Sequence, residues 1–109
     1  MKIVVYGPFK RPGAVLDGTV VDLSYAYAKY LRERTDEPSP RAMAEVIVPP
    51  DLARMIEGGP RTLEAAQTAI DYLFKEAADR LGPMGERIVY DLSEVRLHAP
   101  RPDNARPAL

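Results

Sequence analysis

Apolar and polar positions follow two rhythms along this chain, and the change from one to the other marks its elements. Residues 2–7, KIVVYG, form a β-branched run closed by Gly7-Pro8, which predicts a strand and a turn. Two more apolar runs, residues 14–16 and 19–21, flank Asp17-Gly18. Asp-Gly between strands is a strong hairpin signal, because a type I′ turn needs positive φ at both central residues. The first strand is expected to pair with this hairpin. Beyond it the period lengthens. Leu23, Tyr27, Tyr30 and Leu31 recur at i, i+4, i+7 and i+8, which places them on one helix face capped by Asp22 or Ser24. Lys29, Arg32, Glu33 and Arg34 fall mostly off that face. DEPSP, residues 36–40, breaks the helix.

Two short helices are expected next. One lies within residues 41–50, with Met43, Val46 and Ile47 at helical spacing and Pro49-Pro50 as its end. The other lies within residues 50–59, with Pro50 at its start, a stripe of Leu52, Met55 and Ile56, and Gly58-Gly59 as its stop. The longest periodic stretch is residues 62–82. Thr62 is expected to cap it, Leu63, Ala66, Ile70, Leu73, Ala77 and Leu81 recur every three or four positions, and Gly82-Pro83 closes it. Strands over residues 88–90 and 95–97 follow. The fold class predicted is α+β: a small, mostly antiparallel sheet from the N-terminal strand, the hairpin and the C-terminal strands, packed with three to four helices.

A length of 109 residues suits one domain, which at this size buries roughly 65% of its unfolded surface. There is no cysteine, hence neither a disulfide framework nor a thiolate site. With 15 basic and 16 acidic side chains the formal charge is −1, which gives no electrostatic basis for nucleic-acid or anionic-membrane partners. The start lacks the sustained apolar stretch of a signal peptide, so a cytoplasmic protein is expected.

The chain offers no catalytic constellation. His98, the sole histidine, could serve as a base or ligand, but it has no second histidine and no carboxylate at a useful spacing, so it is read as structural. Glu64, Asp71, Glu76 and Asp79 are spread along the long helix beside Arg61, Lys75 and Arg80 and are read as a solvated face. Tyr25, Tyr27 and Tyr30 could stack on a ligand, yet Tyr27 and Tyr30 sit on the apolar face and are read as core. Gly58-Gly59-Pro60 lacks the Lys-Ser/Thr of a phosphate loop. Ser24, Ser39 and Ser93 lack a nucleophile elbow. No catalytic, cofactor-binding or metal-binding residue is assigned.

The order of the pieces resembles a known family. MKIVVYGPFKRPGAVLDGTVVDLS is similar to the opening of bacterial fumarylacetoacetate hydrolase family members: a strand, then R-x-G-x-L/V-x-D-G-x-V-V-D-L, here Arg11, Gly13, Val15, Asp17, Gly18, Val20, Val21, Asp22 and Leu23. Residues 48–73 resemble the helical insertion that follows, and Val95, Leu97, Ala99 and Pro100 match the V-x-L-x-A-P junction.

The resemblance implies that residues 1–98 are the N-terminal domain and residues 99–109 a Pro-rich linker toward a catalytic domain absent from this chain. That domain would hold Mg²⁺, Mn²⁺ or Ca²⁺ and act as hydrolase, decarboxylase or isomerase on dicarbonyl or acylpyruvate-type acids, often in aromatic catabolism. Its Glu-x-Glu and Asp ligands and its histidine have no counterparts here, and His98 is not that histidine. The expected partners are the catalytic domain and a second copy, with Met43, Ile47, Met55 and Ile56 supplying an apolar patch. The alternative is a stand-alone interaction module without enzymatic activity.

Overall fold

Runs of β-branched residues, Ile3 to Val5 and Thr19 to Val21, with the smaller Gly13 and Ala14 between them, carry the chain through three consecutive antiparallel strands. In the computed structural model, which describes residues 1–98, these are β1 (Lys2–Tyr6), β2 (Arg11–Leu16) and β3 (Thr19–Asp22). The tail of residues 99–109, expected to be a linker, lies outside the described residues. β1 and β2 pair from Lys2↔Val15 to Tyr6↔Arg11, and β2 and β3 from Gly13↔Asp22 to Leu16↔Thr19. The turn between the latter has φ of +47° at Asp17 and +76° at Gly18, the two positive values a type I′ turn demands.

Two short strands complete the sheet. β4 (Val89–Asp91) pairs with β3, and β5 (Leu97–His98) with β1, so the order is β4-β3-β2-β1-β5 with every neighbour antiparallel. These strands sit one to two positions later than the expected runs. A 3₁₀ turn, Leu92–Glu94, joins them. Four helices complete an α+β domain: α1 (Leu23–Arg34), α2 (Pro40–Ile47), α3 (Leu52–Glu57) and α4 (Gly59–Lys75).

Side chains of paired residues share a sheet face. Ile3, Ala14 and Val21 therefore meet the helices, in a core built from Leu23, Val48, Met55, Ala66, Ile70 and, beside them, Ala26, Ala69, Leu73 and Ile88. Fully buried leucines such as Leu23 and Leu73 contribute about 1.5–3 kcal/mol each by leaving water. Buried alanines on α1 and α4 keep both helices close to the sheet and to each other. Val4, Tyr6 and Val20 lie on the opposite face, covered by Tyr90, Leu92 and Val95.

Several boundaries differ from expectation for identifiable reasons. α4 starts three residues before Thr62, which is not its cap. The Thr62 hydroxyl is buried and donates to the Ile47 carbonyl at 2.8 Å, tying α4 to the end of α2. A Cβ on Gly58 would fall 1.8 Å from that hydroxyl oxygen, so the glycine is the space in which Thr62 sits. α4 also ends at Lys75, well before Gly82. Ala77 and Leu81 keep helical spacing, but the Asp79 carboxylate and the Leu81 carbonyl bond to Lys29 of α1 instead of extending the helix.

Pro50 precedes α3 and does not begin it: Asp51 is the cap, accepting from the Arg54 amide at 3.1 Å. Val46 and Ile56 point outward at 67% and 69% exposure. Met55, by contrast, is buried in the core, and Met43 and Ile47 are half-buried, so the patch expected from Met43, Ile47, Met55 and Ile56 does not form as a unit.

Candidate functional site

Three polar constellations among the described residues differ in whether any atom is left for a ligand. The first is centred on Asp22, at the joint of β3 and α1. The hairpin register places Arg11 two positions along β2 from the residue opposite Asp22, within diagonal reach. Asp22 Oδ2 accepts from Arg11 Nε at 2.6 Å and from the Tyr6 hydroxyl, and Oδ1 accepts from the Tyr25 amide at 2.9 Å and Arg11 Nη2 at 3.1 Å. Asp22, not Ser24, is therefore the cap of α1. The Arg11 guanidinium also lies 4.0 Å above the Tyr25 ring centroid. Gly13 is required beneath the cluster, because a Cβ there would approach Val20 Cγ1 to 2.8 Å and Tyr6 Cδ1 to 3.1 Å.

Burial, followed by the charge and hydrogen bond of Asp22, pushes the Tyr6 hydroxyl well above the usual phenol range. Burial by itself would lower Arg11, but the hydrogen bond and charge of Asp22 outweigh it and raise Arg11 above its ordinary value. Four donors converge on one fully buried carboxylate, and no oxygen is turned to solvent. The cluster is scaffold.

The second constellation corrects an expectation. Lys29 does not lie on the solvated face of α1 but is 1% exposed. Its ammonium donates to Asp79 Oδ1 at 2.7 Å, Glu33 Oε2 at 2.9 Å and the Leu81 carbonyl at 2.9 Å, which uses all three protons. Glu33 also accepts from the Tyr72 hydroxyl. Burial alone would lower Lys29; its bonds to Asp79 and Glu33 raise it instead. Burial and Glu33 push Tyr72 up to about 12.

Tyr6, Tyr72 and Lys29 all have folded values above the ordinary 10.0 or 10.5. Their stabilisation is complete below pH 10 and is lost as pH rises toward the folded values, because the unfolded chain releases these protons first. Absorbance at 295 nm should show three tyrosines ionising late: Tyr27, raised by burial, and Tyr6 and Tyr72, these two only together with the loss of helical circular dichroism. Ionisation of all six tyrosines near pH 10 with the helix signal intact would contradict this.

The third constellation is an open groove of about 510 Å³ between the β1–β2 turn and residues 87–98. Tyr6 and Tyr90 form its aromatic wall, with ring centroids 5.5 Å apart and planes tilted by 48°. Pro8 and Val95 add apolar surface, and Arg87, Glu94, Arg96 and His98 supply polar groups. The Arg87 guanidinium lies 4.5 Å from the Tyr90 centroid, held by Nε donating to the Val89 carbonyl at 2.9 Å and by a bond to Glu94. The Asp91 amide donates to Glu94 Oε1 at 2.8 Å. That amide, then Arg87, holds the Glu94 carboxyl below its usual range. His98 Nε2 donates to the Gly7 carbonyl at 2.8 Å, so a neutral ring keeps its lone pair on Nδ1. Here, unlike at Asp22 and Lys29, polar groups border open space.

The other residues weighed from the sequence are dispersed. Tyr27 stacks on Tyr30, which meets Tyr72 edge-on. Of the acids, Asp71 accepts from Gln67, Glu76 pairs with Arg34 at the C-terminal cap of α4, Asp79 binds Lys29 beyond that helix, and Glu64 is exposed. Ser24 is buried in α1, Ser39 precedes α2 and Ser93 is exposed in the 3₁₀ turn. Gly58-Gly59-Pro60 is the joint between α3 and α4. Among the described residues no three His, Asp or Glu side chains converge to hold a metal ion, and no helix is long and apolar enough to cross a membrane. Compared with the chain, no model of a known protein family and no curated protein gives a match.

Proposed function

We propose that this chain is the non-catalytic N-terminal domain of a cytoplasmic fumarylacetoacetate hydrolase family protein, supporting a metal-dependent catalytic domain or a dimer. One observation carries the reading: the spaced residues of the resemblance form a single physical unit. Asp17 and Gly18 make the turn, which sets the register. The register brings Arg11 to Asp22, Gly13 leaves room for Val20 and Tyr6, and Asp22 starts α1. A motif with that spacing is a folding unit, which suits a supporting role.

In this reading the catalytic domain supplies Mg²⁺, Mn²⁺ or Ca²⁺ and acts on dicarbonyl or acylpyruvate-type acids. The test is the intact mass and activity of the product purified from its native source through a chromosomal tag. A product far above 12.1 kDa, with acylpyruvate hydrolysis lost in EDTA and restored by Mn²⁺, is expected. A product of 12.1 kDa with no such activity would overturn the proposal and favour the stand-alone interaction module.

A further inference from the structure

We propose that the groove between the β1–β2 turn and residues 87–98 binds a small planar monoanion, an aromatic carboxylate. Its volume, about 510 Å³, falls in the range of small-molecule sites. The shape of the wall selects the body of the ligand. Tyr6, 5% exposed and bonded through its hydroxyl to Asp22, backs the groove, and the aromatic surface open to it is that of half-buried Tyr90. Tyr90 stands beside it at 5.5 Å, and Val95 and Pro8 extend the apolar lining. Tyr6 and Arg87 already pack on Tyr90, so a flat ligand meets the part of the Tyr90 ring left uncovered, by edge-to-face or offset contact.

The rim selects the charge. Two guanidiniums, Arg87 and Arg96, face one carboxylate, Glu94, among the lining residues, which leaves one positive charge on a chain whose net charge is −1. Glu94 is already engaged by Arg87 and the Asp91 amide, so it does not compete for an incoming cation. Arg87 is engaged through Nε, Nη1 and Nη2 by the Val89 carbonyl and Glu94, so the guanidinium offered to a ligand is that of Arg96, exposed at the rim. A planar guanidinium matches a carboxylate with two parallel hydrogen bonds. The His98 ring, fixed through Nε2, presents no competing anion. The groove's own residues carry this inference, independently of the family resemblance.

The test is a nuclear magnetic resonance titration of the full chain with three probes: benzoate, benzamide and acetate. Benzoate should produce saturable shifts at Gly7, Tyr90, Val95 and His98 with a millimolar dissociation constant. Benzamide, lacking the charge, and acetate, lacking the ring, should each bind at least about fivefold more weakly. Arg96→Gln, an exposed substitution, should weaken benzoate by about fivefold or more while leaving the remaining spectrum in place. Equal binding of benzoate and benzamide, shifts scattered over the surface, or no saturation by about 20 mM would overturn the proposal.

Discussion

Replacing Asp22 with alanine should lower the unfolding free energy by about 4 kcal/mol, a large share of what a domain of this size possesses. Three losses combine. Arg11 and Tyr6 stay behind without the carboxylate that satisfies them, and a guanidinium stripped of its buried partner is the costliest. The Tyr25 amide, one of the orphan donors at the start of α1, loses its acceptor, which costs about 1 kcal/mol. The side-chain space also empties at a point where Val20 and Tyr6 meet Gly13. Asp22→Asn separates these contributions, since the amide oxygen still caps α1 but cannot take both Arg11 and Tyr6. It should cost about half as much. Urea unfolding of the two variants is the measurement. A change below about 1 kcal/mol for Asp22→Ala would show that the cluster does not hold the hairpin to α1.

Replacing Lys29 with alanine is expected to cost about 2–3 kcal/mol. The buried aliphatic stem leaves a cavity, and the Leu81 carbonyl loses its donor. The carboxylates matter less, because Asp79 and Glu33 are 61% and 37% exposed and regain water when the ammonium is gone. Lys29→Met should therefore recover more than half of the loss, by refilling the space without the charge. Hydrogen exchange supplies a readout that stability alone does not. In both variants the amide of Leu81, which donates to Asp79 Oδ1 at 3.0 Å, should lose protection once Lys29 no longer fixes that carboxylate, while those of α1 and α4 keep theirs. Unchanged exchange at Leu81 would mean that the segment is held by packing.

These two residues also mark what could be read from the chain. Asp22 was legible as a helix cap, and once Asp17-Gly18 is accepted as a two-residue turn, counting outward pairs Leu16 with Thr19 and Gly13 with Asp22. Arg11 then falls within reach of Asp22 by arithmetic alone. The Tyr6 contact needed one more step, the register of β1 on β2. Lys29 was illegible. Its neighbours in sequence, Arg32, Glu33 and Arg34, share a polar character, and the pattern of α1 gives no sign that one lysine turns inward. Its partners Asp79 and Leu81 are 50 and 52 residues away, in a stretch whose own periodicity argues for more helix.

The groove was equally hidden. Its walls come from residues 6–8 and residues 87–98, and none of Tyr6, Arg87, Tyr90, Arg96 or His98 belongs to a motif. They meet only because β4 and β5 take opposite edges of one sheet, which places the connecting turn across the face of β1.

By itself the sequence determined the hairpin and its turn, a succession of three to four helices and the α+β class, because each depends on interactions within a few residues: positive φ at Asp17-Gly18, a cap at Asp22 or Ser24, a period of 3.6, a proline or a glycine at an end. Only the tertiary structure decided that α4 stops at Lys75, that Lys29 is buried and that a groove opens beside His98. Those outcomes rest on bonds and contacts spanning tens of residues, where a distant carbonyl, carboxylate or ring outcompetes the local pattern.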